Sequence, residues 1–148
     1  FRSAISISMT DLSLLAELQY AEKILLKCLE LNESYGEGAL HEFFVTYDGS
    51  RSEAMGGGAK KARAHYVRAL ELTEGRKASP HVALATTVAI QNQDLEAYRG
   101  LLSQALAIDV NAYPQYKLEN TIAQRKAHWY LKNEGDYFLI DEEDEEDD

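Results

Sequence analysis

One apolar pattern occurs three times in this 148-residue chain and restricts most of it to amphipathic helices. In each copy a small or aromatic residue is followed by apolar residues four, seven, eight and ten positions later, which places them on one side of an α-helix. The three copies are Ala21, Leu25, Cys28, Leu29 and Leu31; Ala62, Tyr66, Ala69, Leu70 and Leu72; and Tyr98, Leu102, Ala105, Leu106 and Ile108. The repetition predicts three similar helices that each bury one face.

The small residue in the middle of each copy indicates how these helices pack. Cys28 and Ala69 are 41 residues apart, and Ala69 and Ala105 are 36 residues apart. A small side chain lets a neighbouring helix approach closely, as in the second helices of tetratricopeptide-like repeats, whose period is about 34 residues. A glycine-containing loop at 50–58 accounts for the longer first spacing. We therefore predict an all-α, tetratricopeptide-like superhelix of antiparallel helix pairs, with a plain helical bundle as the alternative.

Caps and helix breakers predict where the other helices lie. Asp11, Ser79 and Asp94 are predicted N-caps, and Pro80 and Pro114 suit the first turn of a helix. The first helix is expected to run from Asp11 to a break at 32–36, and others are expected over 37–47, 60–72, 79–91, 95–108 and 114–132. In a superhelix of this kind the helices at 37–47, 80–91 and 114–132 line the concave side.

The charge is concentrated at one end of the chain. The formal net charge is -10, but the last eight residues are all acidic, so residues 1–140 carry 15 basic and 17 acidic groups. A run of like charges without apolar residues cannot bury enough surface to fold. We predict a helical-repeat domain over 1–140 and a disordered acidic tail over 141–148. The negative net charge argues against binding to nucleic acid, which requires neutralisation of phosphates.

No residue pattern predicts an enzyme, a metal site or a cofactor. The segment from His41 begins like the zinc-protease motif HExxH, but Val45 stands where the second histidine is required. Cys28 is the single cysteine and occupies a core position, so we expect it to be buried and inert. The residues Gly56–Lys61 lack the spacing of a phosphate-binding loop. We therefore expect a non-enzymatic protein without cofactors.

Polar residues on the last predicted helix have two alternative roles. Asn120, Gln124 and Arg125 offer polar groups at spacings of four and five residues. Such groups either bind a ligand or cap and bridge neighbouring helices. The sequence leaves both uses open.

Four motifs in a fixed order carry a family resemblance. They are Tyr35–His41 (YGEGALH), Glu53–Gly57 (EAMGG), Ala62–Tyr66 (ARAHY) and Asn120–Ala127 (NTIAQRKA). Together they resemble the T-component family of TRAP transporters, which is built from tetratricopeptide-like helices. The resemblance covers about Asp11 to Leu131 and corresponds to the C-terminal portion of that family. The acidic tail is not part of the pattern.

The resemblance implies a non-enzymatic accessory component of a TRAP transport system. It implies as partners the periplasmic solute-binding protein of that system and a small apolar ligand, and a periplasmic location with lipid anchoring through a preceding N-terminal segment. Five residues in the matching motifs are then expected to line a groove. They are Tyr35, His41, Asn120, Gln124 and Arg125. The alternative is a generic tetratricopeptide-like scaffold that binds a peptide and is unrelated to transport.

The N-terminal end of the repeat array is expected to be incomplete. Terminal repeats normally carry a polar capping face, whereas the helix containing Leu14 and Leu29 is apolar. We expect the chain to form a homo-oligomer or to belong to a longer chain. Sedimentation as a monomer, with little binding of a dye specific for apolar surface, would contradict this expectation.

Overall fold

The computed structural model describes the backbone of residues 12–139 and the side chains of residues 19–139. These residues form six helices and no strand, so the predicted all-α class is confirmed for them. The helices are α1 (Leu12–Leu31), α2 (Ala39–Gly49), α3 (Ala59–Thr73), α4 (Ser79–Leu84, continued by a π-helical segment at Ala85–Ala89), α5 (Leu95–Ala107) and α6 (Lys117–Lys132). Short 3₁₀ turns lie at Glu53–Met55, Pro114–Tyr116 and Glu134–Asp136.

The predicted caps have different outcomes. Asp94 caps α5 as predicted, since its Oδ1 accepts a hydrogen bond from the Ala97 backbone N at 2.9 Å. The prediction for Ser79 is wrong, because Ala78 is the N-cap of α4 and Ser79 is the first helical residue. The Ser79 hydroxyl is used elsewhere, in a hydrogen bond to Glu119 on α6. Asp11 and the acidic residues 141–148 lie outside the described residues.

The chain divides into two compact units at Gly36, and the first contains α1. Helix α1 is followed by a turn in which the backbone N of Tyr35 donates to the Asn32 carbonyl. The repeat residues Leu25 and Cys28 are half-buried, whereas Leu31 is 75% exposed. The expectation of one domain over 1–140 stays a prediction.

The second unit begins at Glu37 and is organised around α4, which packs against α2, α3, α5 and α6. Helix α3 also packs on α2, and α6 packs on α5. Small residues make up a large part of the core between these helices. Fully or almost fully buried alanines include Ala62, Ala69, Ala85, Ala89, Ala105 and Ala127. In the second and third copies of the apolar pattern Ala62, Ala69, Tyr98, Leu102 and Ala105 are buried and the other five residues are half-buried, so the predicted burial is confirmed in part.

Asp48, near the end of α2, accepts the hydrogen bonds that hold the loop between α2 and α3. The Asp48 carbonyl accepts a hydrogen bond from the Gly58 backbone N at 2.9 Å. The Asp48 carboxylate accepts one from Arg51 at 3.0 Å, and the Arg51 guanidinium lies 3.7 Å from the centre of the Tyr47 ring. The loop therefore returns directly to the start of α3.

Within residues 12–139, no helix has the length and apolar character needed to cross a membrane.

Candidate functional site

A polar cluster joins α2, α4 and α6 on one side of the second unit. The Ser79 hydroxyl of α4 lies between two carboxyl groups, Glu42 of α2 and Glu119 of α6. It donates to Glu119 Oε1 at 3.0 Å and is also in hydrogen-bond contact with Glu42. We call this side of α2, α4 and α6 the three-helix face. Three helices of the second unit contribute to this polar cluster.

The cluster contains both signs of charge. Lys77 is 6% exposed, and its Nζ lies 3.3 Å from Glu119 Oε2 and 5.4 Å from the centre of the Tyr116 ring. Burial raises the pKa of Glu42; the hydrogen-bond contact with Ser79 and the positive charges of Lys77 and Lys126 oppose this effect. The cluster therefore contains carboxyl, hydroxyl and ammonium groups, of which the Lys77 ammonium group is buried.

The surface beside this cluster is formed by small side chains of α4. Ala83 and Thr86 follow Ser79 at helical spacing, and both are half-buried. The Thr86 hydroxyl donates to the Val82 carbonyl at 2.9 Å, so its polar group is already used within the helix. The chemistry available here is recognition by polar contacts.

Tyr35 and Arg125 are the exposed members of the predicted site. Tyr35 belongs to the first unit and is 68% exposed. Arg125 lies on α6 and is exposed. Both side chains are accessible to a partner molecule.

His41 lies at the contact between α2 and α3. It is buried, and its Nδ1 is 2.8 Å from Nδ1 of His65. One ring must therefore donate the proton and the other accept it. The His65 ring stacks on Phe44 with 5.0 Å between ring centres, and its Nε2 is 3.7 Å from Asp48 Oδ2. His41 thus takes part in a buried pair of histidines.

Asn120 is fully buried and joins α6 to the chain before α4. Its side-chain oxygen accepts a hydrogen bond from the Ala78 backbone N at 2.9 Å. Its side-chain nitrogen donates to the Arg76 carbonyl at 2.8 Å. Both ends of the amide are therefore satisfied by backbone groups.

Gln124 caps the end of α5. Its side-chain nitrogen lies within hydrogen-bond distance of three carbonyls, those of Ala105 (3.0 Å), Leu106 (3.2 Å) and Ile108 (2.7 Å). The last carbonyls of a helix have no partner within the helix, so this amide satisfies them from α6. Of the two uses left open by the sequence, Asn120 and Gln124 therefore show the bridging one.

The contacts of these residues lie at different helix junctions. His41 joins α2 to α3, Asn120 joins α6 to the chain before α4, and Gln124 joins α6 to α5. That the five residues line one groove stays a prediction. The sequence reasoning missed Glu42, Ser79 and Glu119 as a cluster. All three lie on helices predicted to be inner ones, but their relative register is not visible in the sequence.

Comparison with known proteins shows the family. The sequence matches the family described as TRAP transporter T-component over residues 1–138, and the chain belongs to that family. A protein of Treponema pallidum (strain Nichols), described as uncharacterized, is 27% identical over 119 residues, which is 80% of this chain. The chain spans 37% of the length of that relative. The resemblance inferred from the four motifs is thus confirmed at the level of the family.

Replacement of Asn120 tests the bridge between α6 and α4. We expect Asn120→Ala to lower the free energy of unfolding by about 2–4 kcal/mol, because it leaves the Ala78 N–H and the Arg76 carbonyl without their partner. Urea denaturation measures this change. Asn111→Ala, at an exposed asparagine, is the matched control and is expected to change stability by less than about 0.5 kcal/mol. Equal effects of the two substitutions would contradict a structural role for the Asn120 amide.

The His41–His65 pair predicts a pH dependence of stability. Burial, and next the charge of a protonated His41, lowers the pKa of His65 below its ordinary value of 6.5, although Asp48 opposes this. Burial also lowers the pKa of His81, whose Nδ1 is 2.8 Å from the Tyr66 hydroxyl. The unfolded chain then binds more protons than the folded chain just below pH 6.5. The contribution of these two histidines to the free energy of unfolding is therefore fully present above this pH and is lost as the pH falls below it.

We expect His65→Gln to flatten this dependence. The slope of the free energy of unfolding between about pH 5 and pH 6.5 should decrease, by at most about 1.4 kcal/mol per pH unit, the value for one proton. The measurement is urea denaturation at a series of pH values. His128→Gln, at an exposed histidine of α6, is the control. An unchanged slope in His65→Gln would show that the histidine pair does not cause the acid sensitivity.

Proposed function

We propose that this chain is a non-enzymatic accessory component of a TRAP-type transport system that binds the periplasmic solute-binding protein of that system. The observation that carries this proposal is the match to the T-component family over residues 1–138. Because the family is one of transport components, we assign the chain a binding role and no reaction. This chain spans 37% of the length of its Treponema pallidum relative, so binding to the partner is tested with the full-length protein.

We also propose that the helices form a tetratricopeptide-like superhelix. In support, α2 packs on α3 and α4 packs on α5 as successive pairs, and α4 lies in contact with both α2 and α6. The buried Ala69 and Ala105 occupy the positions where such repeats carry small residues. In this arrangement α2, α4 and α6 are the inner helices.

The three-helix face is the surface that we propose for the solute-binding protein. Its carboxyl groups at Glu42 and Glu119 are half-buried, so part of each side chain is accessible to a partner. Contacts of this kind give orientation and specificity to a protein interface.

The proposal extends to a small apolar ligand exchanged with the solute-binding protein. Phe43 of α2 is 43% exposed and offers an aromatic ring beside Glu42.

The predicted site residues take two roles in this proposal. Tyr35 and Arg125 are exposed and are the members of the predicted site that a partner can reach. His41, Asn120 and Gln124 hold the helices in register and act through packing. We place the protein in the periplasm, attached to the membrane by a lipid at the N-terminus of the full-length protein.

The test is isothermal titration calorimetry of the full-length protein with the solute-binding protein of the TRAP system of the same organism. We expect saturable binding. The double variant Glu42→Gln and Glu119→Gln should weaken it by about 5- to 50-fold, which corresponds to about 1–2.3 kcal/mol. Glu96→Gln on the exposed side of α5 is the control and should bind like the unmodified protein.

Two results would contradict the proposal in different ways. Absence of binding to the solute-binding protein, with or without its solute, would overturn the transport role. It would leave the generic scaffold that binds an unrelated peptide. Normal binding by the double variant would overturn the three-helix face as the contact surface but would leave the transport role intact.

A further inference from the structure

Helix α6 carries an exposed row of apolar and basic side chains along the side opposite its buried one. The row consists of Leu118, Ile122, Arg125, Trp129 and Lys132, at alternating spacings of four and three residues. This spacing keeps them on one side of an α-helix. Leu118 is 75% exposed, Ile122 is 46% exposed and Trp129 is 52% exposed, and both basic residues are exposed as well. We call this row the α6 stripe.

The position of the stripe follows from the packing of α6. The buried residues of this helix are Asn120, Ala123 and Ala127, which face the rest of the second unit. The residues of the stripe project about half a helical turn away from them. The stripe is therefore separate from Glu119, which belongs to the three-helix face. A partner on the stripe would make contacts additional to those of that face.

Trp129 is held in a defined environment although it is exposed. Its ring meets the ring of Tyr130 edge to face, with 5.1 Å between ring centres. Tyr130 in turn contacts Tyr137, with 5.6 Å between ring centres. Aromatic residues already held in place lose little freedom on binding, and tryptophan is enriched among residues that dominate interface energies. Trp129 has the properties of an anchor residue for a protein partner.

The charge of α6 indicates the kind of partner. The helix contains Lys117, Arg125, Lys126 and Lys132 but only one acidic residue, Glu119. Residues 1–140 carry 15 basic and 17 acidic groups, and α6 shares its excess of three basic groups with α3. Basic side chains interspersed with apolar ones fit an apolar surface that carries acidic groups.

We propose that the α6 stripe is a second docking surface for the solute-binding protein and contacts an apolar surface of that protein that carries acidic groups. This inference rests on the proposed function. Two other occupants fit less well. A second copy packed symmetrically on the stripe would bring Arg125 close to its own equivalent, which places like charges together. The acidic residues 141–148 of the chain contain no apolar side chain to cover Trp129.

The single tryptophan makes a direct experiment available. The full-length protein is labelled with 5-fluorotryptophan, any further tryptophan in its N-terminal part being replaced by phenylalanine, so that Trp129 gives one ¹⁹F resonance. Unlabelled solute-binding protein is added. We expect this resonance to shift on saturation, because Trp129 passes from solvent into an apolar interface. The double variant Arg125→Glu and Lys132→Glu should weaken binding at least about fivefold.

Lys60→Glu and Arg63→Glu, at exposed positions of α3, make the same change of charge and are the matched control. We expect the control to bind with less than about twofold loss of affinity. Two further measurements without the partner identify other occupants. One is the dependence of the resonance on protein concentration, and the other is its position when the acidic residues 141–148 are replaced by their amides.

The outcomes separate this inference from the proposed function. Absence of binding in calorimetry overturns both. Binding with an unmoved resonance and an unchanged affinity of the Arg125→Glu and Lys132→Glu variant overturns the α6 stripe alone. A resonance that moves with protein concentration assigns the stripe to a second copy, and one that moves on neutralisation of 141–148 assigns it to the chain's own acidic segment. Either result also overturns the stripe as a surface for the solute-binding protein.

Discussion

The arrangement of the second unit depends on one buried amide. Asn120 has no exposed surface, and its two hydrogen bonds attach α6 to the backbone on either side of Lys77, immediately before α4 begins. A buried polar group that loses its partners destabilises a protein strongly, so only one placement of α6 satisfies this side chain. The buried alanines of these helices offer no polar group that would fix a register. The amide supplies the specificity that these alanines lack.

The polar cluster on the three-helix face follows from this placement. Once α6 is attached before α4, Glu119 lies within reach of the Ser79 hydroxyl and the Lys77 ammonium group. Helix α2 brings Glu42 to the same hydroxyl from the other side of α4. The same attachment turns Trp129 and Arg125 outward. One interaction in the interior thus determines which residues of α6 a partner meets and which residues hold the helix in place.

The repeated apolar pattern was sufficient to predict α3 and α5 and the burial of Ala69 and Ala105, because one-sided apolar spacing is a local property. The cap at Asp94 was also predictable, since it involves residues three apart. The cap predicted at Ser79 failed for a tertiary reason: its hydroxyl lies beside Glu119, 40 residues away in sequence. Likewise, nothing in the sequence distinguished Gln124, which caps α5, from Arg125, which is exposed one position later.

The sequence by itself therefore determined the all-α class, the approximate helix boundaries and, through four short motifs, the membership in the T-component family. These properties depend on residues close together along the chain or on motif order. The tertiary structure decided which polar residues are structural and which are accessible. The pairing of His41 with His65 and the attachment of Asn120 to Arg76 and Ala78 depend on how distant helices pack, and helical periodicity does not encode that register.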